Sequence, residues 1–267
     1  MTVGKLIIVE GNIAAGKSTL CKGLQELDEK LIILFEPTDS NPFLKLFYQD
    51  PHKYALPMQL FLLRNRFRYY AHALSLVLEG NDVILDRSIF SDSVFADQTH
   101  IDGFIDEAGY AYYYELRDYL LSLVPVPHVS IFLDVEPDEC LNRIVNIRKR
   151  ECESGIPIAY LEGLSSCYKT FVMDIEQRGS NLLHLDWNSY GECEQVFNFI
   201  NHEDRVDPPT WSLVDINKLH DCVNSEKWLR TVLDKDDELL SLEDSQQIEV
   251  DFLDEESRRM VSPMKCD

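Results

Sequence analysis

Gly11-Asn12-Ile13-Ala14-Ala15-Gly16-Lys17-Ser18 matches the phosphate-loop pattern GxxxxGK[ST]. It sits between an apolar run, Leu6-Ile7-Ile8-Val9, and a segment with helical spacing that begins near Lys17. That context commits the first strand to a sheet whose C-terminal edge is open to a ligand. The glycines let the backbone curl so that its N–H groups face an anion, and the following helix N-terminus adds positive potential. Lys17 reaches β- and γ-phosphates, Ser18 offers its hydroxyl to Mg²⁺, and Thr19 continues the helix start. The loop implies an ATP-type donor and leaves the acceptor open.

Further apolar runs, Leu31–Phe35, Val83–Leu85, Val129–Val135 and Leu182–Leu185, read as strands. Helical patterns separate them at 17–28, 54–80, 106–124, 137–152, 158–178 and 191–202, with Pro57 expected in the first turn of its helix. Short apolar strands alternating with helices predict an α/β fold, a doubly wound five-stranded parallel sheet flanked by helices. The pattern changes after residue 203, giving a predicted domain over 1–203 and an acidic C-terminal extension over 204–267, partly helical around 214–233 and otherwise loosely ordered. In that extension, Trp211, Trp228 and Leu229 suggest a part that docks on the body.

The net charge of −22 repels polyphosphate backbones, so nucleic acid and anionic membranes are poor partners and any bound phosphate needs a local basic pocket. Residues 201–267 hold 8 basic and 18 acidic residues, net −10, against −12 for the first 200. The seven cysteines show no metal-site spacing and suggest free thiols in a reducing compartment. No presequence and no membrane-length apolar run is readable, which places the expectation in the cytoplasm.

Three features bear on the acceptor. Glu36-Pro37 closes the second strand, putting a carboxylate at the sheet edge where it can take a proton from an attacking hydroxyl; by position alone it is equally a solvated strand-end acid. Asp86-Arg87-Ser88 ends the third strand at the same edge, with Arg87 suited to phosphate oxygens and Asp86 to water-bound Mg²⁺, or else the two form a surface ion pair. Arg143, Arg148, Lys149 and Arg150 form the densest basic cluster, either a lid over ATP or cations meeting a helix C-terminus.

Taken in order, Gly11 to Thr19, Glu36-Pro37, Asp50-Pro51…Pro57-Met58-Gln59, Asp86-Arg-Ser-Ile-Phe-Ser-Asp92 and Arg148-Lys-Arg150…Glu153-Ser-Gly-Ile-Pro…Tyr160-Leu-Glu-Gly-Leu resemble the deoxynucleoside kinases of the deoxycytidine, deoxyguanosine and insect multisubstrate type, over about residues 4–200. The resemblance implies a P-loop fold, MgATP on Gly11–Thr19 with Arg148 and Arg150 closing above, and a homodimer through helices near 54–80 and 106–124. The tyrosines 110, 112, 113 and 114 cluster there and are equally readable as intrachain core. It further implies Glu36 as the base for a 5′-hydroxyl, Arg87 on that hydroxyl and the phosphoryl group, Tyr48 and Glu153 on the sugar 3′-hydroxyl, and Gln59 on the base edge. Arg66 and Asp92 match positions where an Arg–Asp pair would present a charged wall beside the base that favours purines or cytosine.

The chain departs from the pattern in four places. The family's tryptophan after Glu-Pro is absent, Met58 replaces an aromatic, the stretch before Phe95 is one residue short so that Phe95 meets the base in a shifted register, and one residue is inserted between Arg143 and Arg148. Two rival readings carry forward. The kinase-like accessory subunit of respiratory complex I shares the shortened Ser-Ile-Phe-Ser-Asp stretch, which allows a catalytically inactive structural protein. A thymidylate-type kinase would require basic residues for an acceptor phosphate, for which Arg64, Arg66 and Arg68 are the candidates.

Overall fold

The computed structural model describes residues 3–36, 41–150, 153 and 155–201, with Tyr48 described by its backbone only. Five parallel strands form one sheet: β1 (Leu6–Gly11), β2 (Ile32–Leu34), β3 (Val83–Asp86), β4 (Val129–Asp134) and β5 (Asn181–Asp186). Their order is β2-β3-β1-β4-β5, with Val9 opposite both Asp86 and Ile131. The chain lays β2 and β3 on one side of β1, then β4 and β5 on the other. Such a reversal opens a crevice beyond the C-terminal ends of the central strands, and β1 ends there in the phosphate loop.

Burial explains the apolar runs, since every residue of β1 and β3 is buried. Helix α1 (Lys17–Leu27) and helix α8 (Cys193–Asn201) contribute Leu20, Leu24, Val196 and Ile200 to a core with Ile7, Val9, Ile131 and Leu133. Helices α3 (Pro51–Leu78), α4 (Asp92–Ile101) and α7 (Ile158–Gln177) form a second packed layer, and α5 (Glu107–Ser122) leans on α3. No helix among the described residues is long and apolar enough to cross a membrane.

The chain differs from the sequence reading in four places. Helix α2 (Pro42–Gln49) was not expected; Asn41 caps it by accepting from the Phe43 N–H at 2.9 Å, and Pro42 fills its first turn. Helix α3 starts at Pro51 rather than 54, capped by Asp50, so Pro57 falls in its second turn and leaves the Lys53 carbonyl without its helical N–H donor. Helix α4 was also missed, because it is buried nearly all round and shows no polar face.

The helix expected over 137–152 stops early. It runs as α6 (Pro137–Arg143), then one π-turn (Ile144–Arg148) that ends at Lys149 with φ 49°. A π-turn is how an α-helix absorbs one extra residue, and it falls at the insertion noted between Arg143 and Arg148. The 204–267 extension, with Trp211, Trp228 and Leu229, lies outside the described residues, as do Pro37 to Ser40.

Candidate active site

The phosphate loop is built on unusual backbone. Ala14 and Gly16 take φ 59° and 102°, and a Cβ on Gly11 would sit 2.7 Å from the Leu133 carbonyl oxygen, so only glycine lets β1 pass β4 at that point. Asn12 ties the loop to α7 by donating to the Leu161 carbonyl at 2.9 Å. Lys17 folds across its own loop and donates to the carbonyls of Gly11 (3.1 Å) and Asn12 (2.8 Å). Burial and the nearby Arg87 lower its pKa to about 7, with Asp86 and Glu36 opposing. Ser18 Oγ donates to Asp86 Oδ2, which brings together the two residues expected at the metal. A hydroxyl and a carboxylate at the phosphate site are the hard oxygen donors that Mg²⁺ takes.

Two clefts meet beside this loop. The first lies over the loop and is lined by Lys17, Ser18, Thr19, Arg143, Arg148, Arg150 and Tyr190 among others. The second is lined by Glu36, Met58, Arg66, Arg87, Phe95 and Glu153 among others. Arg148 and Arg150 line both. Each pairs with Glu153 Oε1, at 3.0 and 3.6 Å, and burial lowers the pKa of Arg148, with Arg150 and Arg87 adding to the effect.

Arg143 also borders the cleft over the loop, but its guanidinium is committed to the fold. It is 1% exposed, donates to the carbonyls of Ala15 (2.9 Å), Trp187 (2.7 Å) and Asn188 (2.8 Å), and pairs with Glu139 at 2.7 Å. The side chain therefore staples the phosphate loop to the end of β5. The π-turn lies between this arginine and the two that line both clefts.

The wall of the second cleft carries a network of charge. Glu36 Oε1 accepts two bonds from Arg66 (3.1 and 2.7 Å), and Glu36 Oε2 faces Arg87 Nε at 3.1 Å. Burial alone would raise the Glu36 pKa, but Arg66 and Arg87 outweigh it and hold the carboxyl below its usual range. Glu36 is thus not a solvated strand-end acid. Arg66 Nη1 reaches Asp92 at 2.7 Å, so all three of its nitrogens are committed, and Asp92 Oδ2 accepts from Tyr113 at 2.5 Å.

Arg87 adopts φ 73°, a conformation rare for a long side chain, at the end of β3. Its guanidinium lies over the Phe95 ring at 4.8 Å, with that of Arg66 at 5.2 Å, and it donates to the Tyr168 hydroxyl. Asp86 and Arg87 do not pair on the surface; each faces a different cleft partner.

Of the remaining expected contacts, Glu153 lines the second cleft and Gln59 does not appear in its lining. Gln59 is fully buried and its side-chain amide has no hydrogen-bond partner among the described residues; the same holds for Glu153 Oε2. Buried polar atoms of this kind are uncommon in folded proteins. The Tyr48 side chain lies outside the described residues.

Sequence reasoning passed over Tyr168 and Glu10, and named Tyr113 only within the tyrosine cluster of α5. The two tyrosines sit in helices with no motif to mark them. Glu10, a carboxylate inside an apolar strand, was a readable anomaly; its Oε1 accepts from Ser88 at 2.7 Å and burial raises its pKa. Of the tyrosine cluster on α5, Tyr113 is buried and Tyr110 and Tyr114 both donate to Asp97, which makes them intrachain, whereas Tyr112 is 57% exposed.

Comparison with known proteins gives a consistent result. The deoxynucleoside kinase family model matches residues 7–207. A deoxyguanosine kinase of Dictyostelium discoideum is 48% identical over 200 residues, covering 74% of this chain and 70% of that protein. The mitochondrial NADH dehydrogenase 1 alpha subcomplex subunit 10 of Bos taurus is 30% identical over 81% of this chain and 68% of its own length. Among solved structures, a deoxyadenosine kinase of M. mycoides with bound dATP shares the fold at a TM-score of 0.64 and 24% identity, covering 74% of this chain and 99% of that one.

Proposed function

Because this chain belongs to the deoxynucleoside kinase family, we propose that it transfers the γ-phosphate of ATP to the 5′-hydroxyl of a deoxynucleoside, with purine deoxynucleosides or deoxycytidine favoured. One observation carries the choice of acceptor. In the wall of the second cleft stands Glu36, a carboxylate held ionised by Arg66 and Arg87. Such a group accepts a hydrogen bond from a neutral hydroxyl and repels an acceptor phosphate. A thymidylate-type kinase fits less well, since of Arg64, Arg66 and Arg68 only Arg66 lines the cleft and both its ends are tied to carboxylates.

In this reading the triphosphate enters over Gly11–Thr19 and draws Lys17 off the Gly11 and Asn12 carbonyls. Ser18, with Asp86 acting through water, would hold Mg²⁺, which when bound neutralises charge on the phosphate oxygens. The nucleoside lies with its base beside Gln59 and its sugar toward Glu153, with Tyr48 the further sugar contact implied by the family pattern. Phosphoryl transfer of this kind has a loose transition state, so its catalysis is mostly positioning and charge stabilisation. Glu36 orients the 5′-hydroxyl in line and takes its proton as the new P–O bond forms, while the bond from the γ-phosphorus to the bridging oxygen breaks and ADP leaves. Arg87, Lys17 and the lid arginines Arg148 and Arg150 then carry the spreading negative charge.

A side-chain amide both donates and accepts, so Gln59 can pair with the edges of adenine, guanine or cytosine. Its selectivity would come from the saturated Arg66–Asp92 wall, which offers a thymine methyl no apolar niche. Exposed Tyr112 and Tyr119 on α5 are consistent with a homodimer through α3 and α5. The free thiols of Cys21, Cys140, Cys167 and Cys193 fit a reducing, cytoplasmic setting.

The similarity to the bovine subunit keeps a structural role in view, but a protein without chemistry has no use for Lys17, Glu36, Arg87 and Glu153 in one converging arrangement. The deciding experiment is ATP-dependent phosphorylation of a panel of ribonucleosides, deoxynucleosides and deoxynucleoside monophosphates, with Lys17→Ala as control. Product from deoxyadenosine, deoxyguanosine or deoxycytidine that disappears in the control supports the reading. Product from monophosphates alone, or none from a folded protein that binds MgATP, sinks it.

A further inference from the structure

Arg87 must present N–H groups to a phosphoryl group that exists only transiently, yet it leaves β3 on left-handed backbone and carries a long, flexible stem. The protein holds its guanidinium from three sides. Nε faces Glu36 at 3.1 Å, the flat face rests on Phe95 at 4.8 Å, and Nη1 donates to the hydroxyl of Tyr168. Nη2 has no partner among the described residues.

These anchors are unequal. Glu36 is itself the proposed base, so its charge, and with it its grip on Arg87, weakens as it takes up the hydroxyl proton. A ring face resists tilting but does not fix rotation within its own plane. The Tyr168 oxygen is the anchor that stays unchanged through the transfer, because burial pushes the phenol up to about 12 and keeps it neutral at working pH.

Its position is fixed independently of the substrate. Tyr168 is 1% exposed, and its ring packs on Phe132 of β4 and on Phe171 one turn along α7, at centroid distances of 5.5 and 6.1 Å. The same helix accepts the Asn12 bond at Leu161. Helix α7 is therefore a strut joined at one point to the phosphate loop and at another to Arg87.

We propose that Tyr168 is a positioning residue for phosphoryl transfer, its hydroxyl holding the Arg87 guanidinium so that Nη2 points at the transferring group. This rests on the kinase reading above. Tyr168→Phe keeps the ring packing and removes only the acceptor. Since a misplacement of about 1 Å costs on the order of 100-fold in rate, kcat should fall ~10–100-fold, while KM for ATP and nucleoside stays within about twofold. The thermal midpoint should fall by only about 2–4 °C, the cost of one lost hydrogen bond. In an Arg87→Lys background the same substitution should cost less than about twofold, because the oriented guanidinium is already gone.

Unchanged kcat, a loss confined to KM, or equal losses in the two backgrounds would overturn the proposal. A second measurement uses the native protein and no turnover. With ¹⁵N-labelled arginine, hindered rotation about the Arg87 Nε–Cζ bond should give separate Nη1 and Nη2 signals. A single averaged signal overturns the clamp even if Tyr168→Phe does not fold. A native enzyme that is silent on the nucleoside panel yet shows split signals would fault the kinase reading and leave the clamp standing.

Discussion

Replacing Gln59 by leucine should make the ligand-free protein more stable and the enzyme worse, two effects of opposite sign from one substitution. Gln59 is fully buried, and neither its amide nitrogen nor its oxygen has a partner among the described residues. A buried amide left unpaired costs about 1–3 kcal/mol relative to an apolar group of similar shape. Leucine should recover about 2 kcal/mol of that. In a body of this size each 1 kcal/mol moves the melting midpoint by about 2–4 °C, so a rise of about 4–8 °C is expected in differential scanning fluorimetry.

With the nucleoside bound the balance reverses. Two hydrogen bonds to the base edge are lost and the base's own polar groups face leucine, which should cost about 100–1,000-fold in kcat/KM. The loss should fall mainly on KM, since the base is remote from the reacting oxygen. Added deoxynucleoside should also raise the midpoint of the native protein more than that of the variant. A Gln59→Leu protein that melts lower than native, or that keeps its kcat/KM, would refute the argument that this amide is held in reserve for a base.

Lys17 is lowered to about 7, burial and Arg87 being the causes, and a bound triphosphate reverses both by supplying negative charge. ATP binding at pH 7 should therefore take up about half a proton, and affinity should weaken as pH rises above 7; calorimetry in two buffers of different ionisation enthalpy checks this, and zero uptake contradicts it. Arg143→Met should cost about 3–4 kcal/mol in urea unfolding by stranding the Ala15, Trp187 and Asn188 carbonyls, whereas Arg150→Met should change stability by less than about 0.5 kcal/mol and act on turnover. His128 accepts from the Leu6 N–H at 2.9 Å, and burial lowers it from 6.5 to about 4. The unfolded chain thus binds the extra proton between those values, so stability should fall by about 3 kcal/mol as pH drops from 6.5 to 4, and His128→Asn should flatten that slope.

What could be read from the chain alone was whatever depends on local pattern. The five strands announce themselves because burial on both faces demands continuous apolar residues, and the phosphate loop because its glycines have no substitute. Helix α4 stayed hidden for the same reason that the strands were visible: buried nearly all round, it has no amphipathic period to detect. Helix α2 carried its signal in Asn41-Pro42, a cap and a first-turn proline, but it is short and its neighbours drew more attention.

At the site, Glu36 and Arg87 were identified individually, and Arg66 with Asp92 as a pair. That Arg66 also reaches Glu36, and so links it to Asp92, is a fact of three-dimensional convergence that no spacing encodes. Tyr113 and Tyr168, which close the two ends of that network, belong to the same category.

The π-turn at Ile144–Arg148 gives the lid a phase. One residue of α-helix is about 100° of rotation and 1.5 Å of travel. Deleting Asn146 would let the segment relax to a regular helix and would swing Arg148 about a quarter-turn round the axis, away from both clefts, while Arg143 upstream kept its place. The extra residue thus works as a fixed angular offset between a guanidinium bound to backbone carbonyls and the two that line both clefts. Evolution can retune the second pair by adding or removing a single position without disturbing the first.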